Sequence, residues 1–158
     1  MNTKDCRIAA DYYERLNWHA GVFRSTVWVI AGRPVEALDI PEKLGRRVLT
    51  LLLASNVPGP VFQAPERTGT RWVFLTGRRD QDWYSLAARL TDLDVEHIWA
   101  GSTLDLPPSQ IGNEHLTWLI PPIPAVLPPF SIIARAVLEA AGMLVKSRRI
   151  EMSHPQDE

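Results

Sequence analysis

The run DVEHIWAGSTLDLPPSQIGNEHLTW, from Asp94 to Trp118, carries the decision about fold. Val95–Trp99 and Thr103–Leu106 are rich in β-branched and aromatic residues, and Ala100-Gly101-Ser102 between them is a turn sequence. Pro107 and Pro108 have no N–H to give a sheet ladder, so the second run ends where they begin. A strand-like run resumes at His115–Ile120 and stops at Pro121-Pro122. Three strands about a Pro-Pro-Ser corner need partner strands and a helical cover, which points to an α+β fold.

Upstream, Ile8, Tyr12 and Leu16 recur at helical spacing with charges between them, predicting an amphipathic first helix. Ser25–Ala31 and Val35–Ile40 read as strands joined by the Gly32-Arg33-Pro34 turn, and so as a hairpin. Asp39 ahead of Pro41 suits the start of a helix over PEKLGRRVLTLLLAS, packed through Leu44, Val48, Leu51 and Leu52. Val61–Ala64 and Arg71–Leu75 are two further strands. Asp80 or Asp82 is expected to cap a helix from Trp83 to Leu90. The proline-rich run 121–129, PPIPAVLPP, reads as a stiff connector to a closing helix over 130–146, with a polar, disordered tail at 147–158. The order α-ββ-α-ββ-α-βββ-α describes one domain over 1–146, a mixed, largely antiparallel sheet with flanking helices.

A chain of 158 residues is long enough to bury a substantial core. Hydrophobic residues make up 46% and charged ones 22%, which argues against a disordered chain. No apolar run approaches ~18 residues and the N-terminus lacks a secretory layout, so the expectation is a cytoplasmic protein with no membrane partner. The lone cysteine, Cys6, permits no internal disulfide and reads as a small packed side chain. Net charge is −1, but residues 1–79 carry 12 basic and 7 acidic side chains while 80–158 carry 5 and 11. Arg46, Arg47, Arg78 and Arg79 are the candidate basic surface.

Set in order, these elements resemble the N-terminal domain of bifunctional DNA primase/polymerases, the prim-pol type, over Ala9 to about Pro122. The helix around Ala9-Ala10 leading towards Trp18 is similar to the family's opening. Ala37-Leu38-Asp39-Ile40-Pro41 resembles its strand of two metal-binding carboxylates, with Asp39 as the first and Pro41 where the second belongs. Thr68-Gly69-Thr70-Arg71 resembles its nucleotide-contacting small-x-His motif, with Arg71 in place of histidine. Glu96 stands eleven residues before Pro107, as the third carboxylate stands before an Ala-Pro-Pro-Ser corner, and Leu106-Pro107-Pro108-Ser109 followed by Gly112 and Trp118 is similar to that corner.

The resemblance implies a site of Asp39 and Glu96, with nucleotide or phosphate contacts from Arg71, Thr68 and Ser109. Two-metal nucleotidyl transfer needs clustered carboxylates, and Pro41 brings no side-chain oxygen. Asp92, Asp94 and Glu96 alternate, so on a strand they share a face, and Asp94 could complete a metal set with Asp39 and Glu96. His19, His97, His115 and His154 have no metal-ligand spacing. The reading is a catalytically degenerate domain, a nucleic-acid- or nucleotide-linked binding module or a regulatory partner of another protein, with no cofactor expected. A residual metal-dependent primase/polymerase using Mg²⁺ or Mn²⁺, and a homodimeric interaction module, are the alternatives.

Overall fold

In the computed structural model, which describes residues 3–32, 34–57, 59–123 and 127–143, the strand Glu36–Pro41 is the axis of the fold. In chain order the elements are α1 (Thr3–Arg15), β1 (Ala20–Phe23), β2 (Thr26–Ile30), β3 (Glu36–Pro41), α2 (Glu42–Ala54), β4 (Val61–Glu66), β5 (Gly69–Thr76) and α3 (Trp83–Leu90). A short 3₁₀ turn at Thr91–Leu93 follows, then β6 (Glu96–Ile98), β7 (Thr103–Leu106), β8 (Gln110–Ile111), β9 (Glu114–His115), β10 (Thr117–Ile120) and α4 (Phe130–Ala140). The five-stranded sheet has the order β10-β4-β5-β3-β6, and β1-β2-β7 form a second sheet of three. Each strand pairing among the described residues is antiparallel, so the α+β class with a largely antiparallel sheet is the observed one.

Because strand residues alternate between faces, β3 and β5 feed two cores. Leu38, Ile40, Trp72 and Phe74 face α2, α3 and α4, meeting Val48, Leu86, Leu90, Phe130 and Val137. Ala37, Val73 and Leu75 face the other way, towards Tyr13 of α1 and Val27, Val29 and Leu106 of the smaller sheet. Each fully buried large side chain contributes roughly 1.5–3 kcal/mol relative to exposure. Helix α2 lies close on β5 because Gly45 has no side chain: a Cβ there would stand 3.0 Å from that of Trp72.

The expected hairpin of 25–31 with 35–40 does not form. Strand β2 pairs with β1 on one side and β7 on the other, while β3 pairs with β5 and β6. Strand β1 had no clear signature: the β1–β2 turn is Arg24-Ser25, with Arg24 at a φ of 55°, where glycine or asparagine is the usual signal. Gly21 is required inside β1, since a Cβ would come within 2.3 Å of the Trp28 ring. The Ala100-Gly101-Ser102 turn likewise joins two sheets rather than one hairpin, carrying the chain from β6 to β7.

Pro41 precedes α2 with no side-chain cap. Asp82 caps α3 in sequence position only, without a side-chain bond. The Asp80 carboxylate instead accepts hydrogen bonds from the backbone N–H (3.3 Å) and hydroxyl of Ser131 in the first turn of α4. The expected strand His115–Ile120 is broken at Leu116. The closing helix ends at Ala140 and a turn follows to Met143; positions 144–146, the tail 147–158 and 124–126 of the connector lie outside the described residues.

Candidate functional site

The β3–β6 register sets Asp39 directly opposite Glu96, and the β3–β5 register sets Pro41 opposite Arg71. Directly opposed residues point to the same face, with Cβ atoms about 4.5–5.5 Å apart. Asp39, Glu96 and Arg71 therefore meet on one face of the sheet, as the sequence suggested. Asp94 joins them by another route. It does not alternate with Asp92 and Glu96 on a strand, because Thr91–Leu93 is a 3₁₀ turn and Asp94 has a left-handed φ of 57°. That turn bends its carboxylate back over Arg71.

Arg71 Nε donates to Asp39 Oδ1 at 2.5 Å and Nη1 to Asp94 Oδ2 at 3.1 Å. Nη2 donates to the backbone carbonyls of Asp39 (3.0 Å) and Asp94 (2.7 Å). Four of the five guanidinium donors are thus engaged inside the chain. Burial pulls the Arg71 pKa down, but the hydrogen bonds and charges of Asp39 and then Asp94 outweigh it and hold it above its ordinary value. Around this group opens a cleft of about 460 Å³ that includes Glu66, Asp94 and Glu96.

This geometry corrects several expectations. Arg71 is not a free fork for phosphate, since its donors are committed to Asp39 and Asp94. The Asp39 and Asp94 oxygens that would hold Mg²⁺ or Mn²⁺ lie on the Arg71 guanidinium instead. Thr68 sits exposed in the β4–β5 turn and does not line the cleft. Ser109 is fully buried, its hydroxyl donating to Val27 O and accepting from Val27 N, both at 2.9 Å. The corner is an internal brace. Tyr13 donates its hydroxyl hydrogen to Pro107 O and accepts the indole N–H of Trp118 at 3.1 Å, tying α1 to the corner and to β10.

Nor do the four arginines form one surface. Arg46 pairs with Glu42 (2.6 Å) and lies 5.2 Å from the Trp72 ring, beside the Pro41 end of β3. Arg79 is bound to Glu36 at the opposite end, five residues and hence ~17 Å away. Arg47 is exposed on α2 and Arg78 is exposed beside Arg79.

A second cluster lies on the other face of β3. Glu36, 2% exposed, accepts the Arg79 backbone N–H (2.9 Å) and pairs with Arg79 Nε (3.4 Å) and His97 Nε2 (3.0 Å). The Arg79 guanidinium sits 4.5 Å from the Trp83 ring and 5.1 Å from that of Trp99. Burial is the largest influence and lowers the His97 pKa; Glu36 pulls it up and Arg79 down, and the balance leaves it below its ordinary value. The sequence had a signal for this cluster: a glutamate between Val35 and Ala37 in an apolar strand has to find partners if it is buried.

No family model, no curated protein and no solved structure matches this chain.

Proposed function

We propose that the chain is a non-catalytic interaction domain of prim-pol type, in which Arg71 has closed the nucleotidyl-transfer site. The observation that carries this is the bonding of Arg71 to both Asp39 and Asp94. A positive charge built into the chain neutralises the carboxylates that would otherwise gather divalent ions, at no cost in bound cofactor. The same bonding disfavours nucleic acid or nucleotide at this cleft, because the single Arg71 charge is shared among Asp39, Asp94 and Glu66, and with Glu96 the cleft keeps a net excess of negative charge against phosphate. A protein partner fits better, in a cytoplasmic setting with no membrane contact. Among the described residues no helix is long and apolar enough to span a bilayer.

Primer extension with Mn²⁺, together with nucleotide binding with and without the metal, tests the reading. Wild type and Asp39→Ala are expected to give the same background and no metal-dependent nucleotide binding. Extension by wild type that Asp39→Ala abolishes would overturn the reading in favour of a residual polymerase.

A further inference from the structure

Strand β6 is the last of the five-stranded sheet and pairs with β3 alone among the described residues, leaving its other side without a neighbouring strand. The clefts on its two faces differ in chemistry. On the Arg71 face lies the 460 Å³ cleft, where Glu66, Asp94 and Glu96 stand with the Arg71–Asp39 pair for a formal charge of −3. On the other lies a trough of about 340 Å³ walled by Trp83, Tyr84, Trp99 and the apolar side of α3. Thr91, Val95 and His97 line both, so the two are continuous around β6. Tyr84 is 75% and Trp99 45% exposed, unusually open for large aromatics flanking a sheet edge.

Alternation within β6 explains the division. Glu96 projects to the Asp39 face, and His97 to the helical face, where its ring centroid is 4.5 Å from that of Phe130. A strand laid beside β6 would continue the pleat, so its successive side chains would fall in turn beside the acidic cleft and beside the aromatic trough. Backbone pairing supplies affinity in this mode of recognition and alternate side-chain pockets supply selectivity. Net negative charge on one side and apolar rings on the other specify the occupant.

We propose that β6 is a docking edge for an extended segment of a partner protein in which basic residues alternate with apolar ones. The basic residues face Glu66, Asp94 and Glu96, and the apolar ones enter the Trp83–Trp99 trough. The proposal rests on the reading of the chain as an interaction domain and gives that reading a partner chemistry.

A fluorescein-labelled peptide of alternating valine with lysine or arginine is the probe, followed by anisotropy and by amide exchange at Glu96–Ile98. The expected result is salt-sensitive binding with new protection of whichever of those amides point away from β3, weakened about tenfold or more by Glu96→Lys and by Trp99→Ala. Glu96 is exposed, so Glu96→Lys should keep the wild-type melting temperature; Trp99 also packs on Arg79 and Trp83, so binding by Trp99→Ala is read well below that variant's own melting midpoint. Glu96→Lys should in turn bind a peptide of alternating valine and glutamate better than wild type does. Equal binding of a peptide with the same residues in block order, unchanged amide protection, tighter binding of an oligothymidylate, or no binding at low salt would each overturn the docking edge. Metal-dependent extension would instead overturn the broader reading, so the two failures are distinguishable.

Discussion

Arg71 holds Asp39 twice, through the carboxylate at 2.5 Å and through the backbone carbonyl at 3.0 Å, in a pair whose side chains are 12% and 14% exposed. A pair this far from water is hard to break one member at a time, because the remaining charge is left poorly solvated. Arg71→Met is therefore expected to destabilise the protein by roughly 2–3 kcal/mol, somewhat below the loss for a fully buried pair. The double variant Arg71→Met/Asp39→Leu should regain most of that loss. Urea denaturation of the four-member cycle checks it; additive effects of the two substitutions would show that the pair is not coupled.

His97 predicts how stability varies with pH. Its folded-state pKa is lowered, first by burial, against the opposing pull of Glu36 and with the help of Arg79. The unfolded chain then binds more protons than the folded one between that lowered value and ~6.5, so stability is full above ~6.5 and falls as pH drops through the window. His97→Gln should flatten this part of the profile, leaving the carboxylate titrations at lower pH. Melting temperatures of both proteins between pH 5 and 8 are the measurement, and equal slopes would refute the assignment.

Much of the sheet was legible because stretches such as Trp72–Leu75 are continuous apolar runs of strand-forming residues, buried on both faces, and the two prolines after Leu106 mark an end that no sheet ladder can pass. The meeting of Asp39, Arg71 and Glu96 was suggested by the family resemblance, and it is the strand register, Asp39 opposite Glu96 and Pro41 opposite Arg71, that puts them on one face. The state of that meeting was not legible. Whether Arg71 would reach outward for a phosphate or inward to Asp39 depends on the left-handed turn at Asp94, and left-handed aspartate has no spacing signature. The β1–β2 hairpin was hidden similarly, since Arg24 adopts a positive φ without glycine. The Glu36–His97–Arg79 cluster joins residues up to 61 positions apart, and only the order of strands brings them together.

Ser109 separates a binding role from a structural one. Its hydroxyl satisfies both the N–H and the carbonyl of Val27 in a site with no solvent exposure. Ser109→Ala leaves two backbone groups without that partner, and each buried orphan costs about 1–3 kcal/mol. Thermal melting should therefore fall by several degrees, at about 2–4 °C per kcal/mol for a chain of this size. A variant that melts like wild type but loses ligand binding would restore the nucleotide-contact role suggested by the corner motif.

The two aspartates before α3, Asp80 and Asp82, look equivalent in sequence and are not in structure. Asp80 accepts the backbone N–H and the hydroxyl of Ser131, so it satisfies the first turn of α4 from a distant part of the chain. Asp82 makes an ion pair with Arg135 at 2.9 Å, and both side chains are more than half exposed. Losing a helix cap costs typically ~1 kcal/mol, whereas an exposed pair contributes about 0–1 kcal/mol and is screened by salt. Asp80→Ala should thus lower the urea midpoint clearly and independently of salt, while Asp82→Ala shifts it little and less still at high salt. The reverse order would mean that Asp82, not Asp80, anchors α4 through Arg135.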